Sequence, residues 1–230
     1  MTDTETTFRR ARRPEHKAQR REAILAAAAG LAARDGVRAV SLGDIAAEVG
    51  IHKSALLRYF ETREQIFLEL TGRSWRAWAQ ATSAAVGDLA PGDSAPVADA
   101  LADSFVSRPL LCDLIPHTAL SLERHVSREA ALAYKLTSLG AVEAVTDALA
   151  GPLPQLDAGQ RRELVSAVAL LAGSMYQIAT PPPPLAELYA ERPELGHVLL
   201  ALGPRLARCA RVLIAGLEAC GPGKTAESTG

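Results

Sequence analysis

Residues 41–60 read Ser41-Leu42-Gly43-Asp44-Ile45-Ala46-Ala47-Glu48-Val49-Gly50-Ile51-His52-Lys53-Ser54-Ala55-Leu56-Leu57-Arg58-Tyr59-Phe60. Ser41 stands three residues before Asp44, the spacing at which a hydroxyl and a carboxylate satisfy the free amides of a helix's first turn. Leu42, Ile45, Ala46 and Val49 follow at i, i+3, i+4 and i+7, which makes one inward face. Gly50 comes where a left-handed residue stops a helix. A further helix is expected from His52 to Phe60, with Leu56 and Phe60 toward the core and Lys53, Ser54, Leu57 and Arg58 outward. A short supporting helix, a glycine turn and a protruding helix form the geometry that enters the roughly 12 Å wide major groove of B-DNA.

The flanking sequence supports this unit on both sides. Upstream, Ile24, Leu25, Ala28, Leu31 and Ala32 share a face of a helix expected from Pro14 to Arg34, closed by Asp35-Gly36. Residues 1–13 carry Arg9, Arg10, Arg12 and Arg13 with no apolar period, so a flexible basic arm is expected, either following phosphates, entering the minor groove or merely solvated. Downstream, Thr62 and Gln65 open a long fourth helix that carries Ile66, Phe67, Leu70, Trp75 and Trp78 and fades near Gly87. A loop follows at Ala90-Pro91-Gly92-Asp93-Ser94, then helical segments over 97–107, 109–115, 118–149, 158–180 and 195–220. Pro152, Pro154 and the run Pro181–Pro184 read as breaks, and residues 221–230 as a disordered tail. The expected fold is all-α, with a three-helix helix-turn-helix domain at 14–62 and a helical ligand-binding and dimerisation domain at 63–220.

Composition agrees with packed helices: of 230 residues, 48% are hydrophobic, largely Ala and Leu, while aromatics reach only 4%. The net charge of -1 conceals an asymmetry, because residues 1–76 hold 14 Lys and Arg against 10 Asp and Glu while the remainder holds 11 against 16. A basic end suits an anionic partner. Cys112, Cys209 and Cys220 are odd in number and far apart, which argues against a disulfide framework or a zinc site and for a reducing cytoplasm. The apolar run Leu164–Thr180 is interrupted by Ser166, Gly173, Ser174 and Gln177, so it reads as a buried helix and no membrane partner is expected.

On these residues the chain resembles the TetR family of regulators. The family's pattern Ile-Ala-x-x-x-Gly-Val-Ser-x-x-x-Leu-Tyr-x-His-Phe is answered by Ile45-Ala46 and by Gly50 through Phe60, and Thr62-Arg63-Glu64 matches the start of its fourth helix. The match is strong over Arg20 to Leu70. It implies a dimeric protein of nine or ten helices that binds a palindromic double-stranded operator, represses transcription, and is released by a small-molecule effector. It places Lys53 and Ser54 at base edges and Ser41, Tyr59 and Arg63 at phosphates, with His52, Ala55, Leu57 and Arg58 completing the DNA-facing set. Leu57 departs from the family's usual Tyr, exchanging a phosphate donor for a side chain suited to a thymine methyl.

For the effector, apolar and aromatic residues of the larger domain are the candidates: Trp75, Trp78, Phe105, Leu110, Leu111, Ile115, His117, Leu120, Tyr134, Met175 and Tyr176. Core packing is the competing reading of every one of them. The absence of a Gly-rich phosphate loop in this region favours a hydrophobic or aromatic effector, and neither metal nor cofactor is expected. A rival class, an all-helical enzyme with a DNA-binding head, would use His117, Glu123 or His125 as acid or base. It lacks a nucleophile, and two histidines eight residues apart on one helix lie too far along the axis to share a metal. A regulator without a small-molecule effector is the third reading. Leu164, Val168, Leu171 and Met175 recur at helical spacing, which suits a dimer interface built by segments 158–180 and 195–220, or equally an interior face.

Overall fold

The computed structural model describes residues 4–198 and 201–221, with side chains described over 16–195 and 201–221. Its α-helices are α1 (Thr4–Asp35), α2 (Leu42–Glu48), α3 (Lys53–Leu56), α4 (Arg63–Gly87), α5 (Ser94–Val106), α6 (Pro109–Leu120), α7 (Arg128–Ala148), α8 (Ala158–Ala179), α9 (Pro183–Glu191) and α10 (Leu202–Cys220). Single 3-10 turns occupy Leu122–His125 and Pro193–Val198, and no strand occurs among the described residues.

The chain divides into two compact units, Met1–Leu70 with His117–Ala131, and Thr71–Pro116 with Leu132–Gly230. In the first unit the local signals act as their chemistry requires. Gly36 has φ 82 and its N–H donates to the Ala32 carbonyl at 2.8 Å, ending α1. Ser41 caps α2 through a complete capping box with Asp44, and Gly50 turns the chain at φ 65, a conformation that a side chain would strain. Ile24, Leu25, Ala28, Ile45, Leu56, Phe60, Ile66 and Phe67 close the core of this unit.

In the second unit α10 packs on α5 and α8, and α5 on α8. Val97, Leu101, Phe105, Leu164, Val168, Leu206, Ala210 and Ile214 fill the space between them. Gly173 allows α6 to approach α8 closely, because a Cβ there would lie 3.0 Å from Cγ2 of Ile115 and 3.1 Å from Cδ of Pro116.

Several expectations need correction. The helix expected to begin at Pro14 begins at Thr4, so the backbone of residues 4–13 is helical where a flexible arm was expected, in keeping with the helix propensity of Arg and Ala. The arginine side chains of that arm, residues 1–3 and the tail 222–230 lie outside the described residues. The expected helix over 118–149 is broken: α6 continues through Pro116 to Leu120, and a new helix starts after Ser127, whose hydroxyl accepts from the N–H of Ala130 at 3.2 Å. The proline run does stop α8, but it also starts α9, since a first helical turn needs no amide donors from its own residues.

The α8 residues read as an interface or an interior face divide, with Leu171 and Met175 half-buried. Leu164 and Val168 are buried within the chain, whereas Leu170 is 65% and Ile178 43% exposed. The same periodicity describes either side of a helix, and packing on α5 and α10 decides which side faces in.

Candidate nucleic-acid interface and effector region

The candidate reading helix is short. α3 ends at Leu56, and the chain continues to Phe60 as tightened turns, with Arg58 N–H donating to the Ala55 carbonyl at 3.2 Å and Tyr59 N–H to the Leu56 carbonyl at 2.9 Å. Its inner side is anchored by Leu56 and Phe60, both essentially inaccessible. His52, Lys53, Ser54, Leu57 and Arg58 are exposed, and Ala55 and Tyr59 are half-buried. Leu57, at 45% exposure, is the one large apolar side chain presented by this segment, which suits contact with a methyl group and costs surface hydration until it is covered.

Ser41 is exposed at the start of α2. Its Oγ accepts from the N–H of Asp44 at 3.2 Å, which leaves the hydroxyl proton free to donate outward. In return the Asp44 carboxylate accepts from the N–H of Ser41 at 2.8 Å. The bonds from the Ser41 hydroxyl and backbone hold the Asp44 carboxyl below the usual carboxylate range.

Arg63, at the start of α4, makes its contacts within the first unit. Its guanidinium donates to the carbonyls of Val37 and Val40 and lies 4.6 Å over the Phe67 ring, with Nη1 3.3 Å from the Glu64 carboxylate. The two carbonyls belong to the connection between α1 and α2, which has no helical donors to offer them, so a side chain supplies the bonds. Its side chain is 19% exposed, and its role here is to lock that connection.

Arg21 was not identified from sequence. It donates to the Tyr59 carbonyl, pairs with Glu69, and lies 4.1 Å over the Phe60 ring, thereby fixing the end of the reading segment. No local spacing could have pointed to it, because its partners lie 38 and 48 residues away.

In the second unit the structure brings together Trp75, Trp78, Phe105 and Tyr134. Trp78 meets Trp75 edge-on at 5.2 Å between centroids and stacks on Phe105 at 5.0 Å. The two indole N–H groups donate to the Tyr134 hydroxyl at 3.3 Å and the Ser104 hydroxyl at 2.9 Å. Further along the same interior face of α4, the buried Thr82 hydroxyl has no hydrogen-bond partner among the described residues. Leu111 is buried, and Leu110, Ile115, Met175 and Tyr176 are half-buried. His117 and Leu120 fall in the first unit, with Leu120 68% exposed.

Asp113 and Gln177, absent from the expected set, join α6 to α8 by an amide-to-carboxylate bond of 2.8 Å, with Asp113 buried. The available signal was a carboxylate within the apolar run Leu110–Ile115. Burial, and then Asp113, push the Tyr176 phenol up, and burial pushes the Cys112 thiol up to about 12, which leaves that thiol unreactive.

His117 and His125, which the enzyme reading would combine, sit on α6 and on the 3-10 turn. The His125 carbonyl accepts from the Thr62 hydroxyl at 3.1 Å, tying that turn to the start of α4 within the first unit. Among the described residues, no single helix is long and apolar enough to cross a membrane.

Residues 24–70 match the family model for bacterial regulatory proteins of the tetR family, and residues 72–221 match that of the tetracyclin repressor-like C-terminal domain. No curated protein matches the chain. Among solved structures it is similar to the multidrug binding protein EbrR complexed with imidazole, at 18% identity and TM-score 0.55 over 91% of this chain and 98% of that one. It is also similar to the fatty acid degradation regulator FadR from Bacillus halodurans, at 13% identity and TM-score 0.53 over 85% and 98%. The TetR family regulator PfmR from Thermus thermophilus follows at 21% identity and TM-score 0.51 over 83% and 96%. These likenesses concern the fold, whereas the two family models together span the chain from residue 24 to residue 221. The chain belongs to the TetR family of DNA-binding transcriptional regulators.

Proposed function

We propose that this regulator is a cytoplasmic repressor that binds a palindromic operator as a homodimer and is released from it by a small hydrophobic or aromatic effector. The observation that carries the DNA-binding part is the two-sidedness of residues 53–60, where Leu56 and Phe60 are buried while Lys53, Ser54, Leu57 and Arg58 are exposed. Lys53 and Ser54 donate to base edges, Leu57 covers a thymine methyl, and Ser41, Tyr59 and Arg58 hold phosphates. Dimerisation uses α8 and α10, which pack together and expose Leu170, Ile178 and Val212.

The effector is assigned to the second unit. The Trp75–Trp78–Phe105 rings supply an apolar wall, and the Thr82 hydroxyl supplies a polar handle. Because α4 is one continuous helix from Arg63 to Gly87, a ligand that displaces its later turns also changes the position of its start. A dimer keeps its two reading helices about 34 Å apart or at a multiple of that repeat, so a small change breaks the register of one half-site. By reciprocity, operator DNA weakens effector binding by the factor that effector weakens operator binding, typically 5- to 150-fold, or about 1–3 kcal/mol.

Protection mapping on DNA flanking the protein's own coding region, followed by a thermal-shift screen of small molecules, tests the whole reading. It expects a two-fold symmetric footprint and a stabilising compound that is not consumed and that shortens the footprint's lifetime. Turnover of such a compound favours an enzyme instead, and equal effector affinity with and without operator breaks the link between the two sites.

A further inference from the structure

We propose that the cleft between α1 and Tyr59 seats a backbone phosphate bordering the groove that α3 reads. This inference rests on the DNA-binding reading above. The cleft has a volume of about 320 Å³ and is lined by His16, Gln19, Arg20, Ala23 and Tyr59. His16, Gln19, Arg20 and Ala23 lie at i, i+3, i+4 and i+7, so one exposed face of α1 forms a wall, and the small Ala23 leaves room at its end.

Its chemistry fits one kind of guest. A guanidinium, a carboxamide, an imidazole and a phenol all offer donors, and no carboxylate is among the described lining residues. Arg20, Gln19 and His16 have no hydrogen bond or ion pair among the described residues, in contrast to Arg21, the neighbour that is committed to Tyr59 and Glu69. Because Arg21 holds the Tyr59 carbonyl, the phenol side of the cleft is fixed relative to α1 before any ligand arrives.

The groove explains why such a site is needed. A helix in the major groove is bordered by phosphates of both strands, so a head that docks firmly needs donors at both ends of its helix-turn-helix. Ser41 provides one at the start of α2. Arg63, expected to provide the other, is occupied by the Val37 and Val40 carbonyls. The α1 cleft lies beside Tyr59, at the far end of the reading segment, and supplies that second anchor.

The test uses the full chain, the mapped operator and a random duplex. Arg20→Ala is expected to weaken binding to both by a similar factor, roughly tenfold or more, and to lower the slope of log K against log salt by about 0.9. Operators carrying a single neutral methylphosphonate are then scanned. One position should weaken the wild-type protein as the substitution does, and cost nothing further in Arg20→Ala. Gln19→Ala, at the same wall, should weaken the wild-type operator and lose part of its effect at that position. An unchanged slope for Arg20→Ala, or additive losses at every methylphosphonate, overturns the proposal. Inorganic phosphate should compete for the cleft, weakening wild-type binding more than chloride of equal ionic strength and doing so less in Arg20→Ala. A wild-type protein that binds no duplex removes the DNA reading itself, which the other outcomes leave standing.

Discussion

Lys53 and Trp78 lie in different units and face opposite demands. Lys53 is exposed on a helix of four residues whose interior side is sealed by Leu56, so its side chain makes no contribution to the core. Trp78 is inaccessible, stacked on Phe105 and hydrogen-bonded to Ser104, so every part of it is engaged internally. In the first region exposed and buried side chains alternate residue by residue, while in the second the candidate ligand residues are themselves the core. A substitution at an exposed α3 residue such as Lys53 is therefore expected to leave stability unchanged, and a substitution in the aromatic cluster to change stability first.

Trp78→Ala gives the largest expected effect. Removing a buried indole should cost about 3–5 kcal/mol of stability, read as a lower urea midpoint for the full chain. If the loss stays below about 1 kcal/mol, the cluster is loosely packed, and the distinction between the two regions collapses.

Arg63→Ala comes next and probes an exception inside the head. With the Val37 and Val40 carbonyls deprived of their donors, stability should fall by about 1–3 kcal/mol, while the salt slope of DNA binding stays as in the wild type. A slope lowered by about one released ion, with stability intact, would return Arg63 to the phosphate role implied by family resemblance.

The smallest effect concerns the α2 cap and its pH dependence. The Asp44 carboxyl is held below its ordinary range in the folded chain, so the stability it adds is present above about pH 4 and is lost as pH falls through its folded value. Wild type should exceed Asp44→Ala in stability by a constant margin near neutrality, and the margin should vanish in acid. A margin that persists at low pH assigns the effect to helix propensity or packing in place of the carboxylate.

The same contrast governs what could be read from residues alone. Ser41, Asp44, Gly36 and Gly50 act on neighbours a few residues away, so their spacing identified the caps and turns in which they are found. Arg63 and Arg21 act on carbonyls brought near only by the packed helices, and nothing local distinguishes an inward arginine from an outward one. Leu56 and Phe60 keep helical spacing even where the last turn tightens, so spacing alone overstates the length of α3. α9 was missed because four prolines read as a stop, although the first turn of a helix accepts them. In the larger domain, apolar spacing marked what is buried but could not separate pocket from core, and the polar pair Asp113 and Gln177 emerged only once α6 lay against α8.

The account stands most directly on base readout by α3, and measuring wild-type and Lys53→Ala affinities across an operator substituted one base pair at a time tests it. The variant should keep wild-type stability, lose about 1–3 kcal/mol on the unaltered operator, and become indifferent to the base pair at one position of each half-site. Equal losses on operator and random DNA, with every positional preference intact, would contradict the account and reduce Lys53 to a phosphate contact.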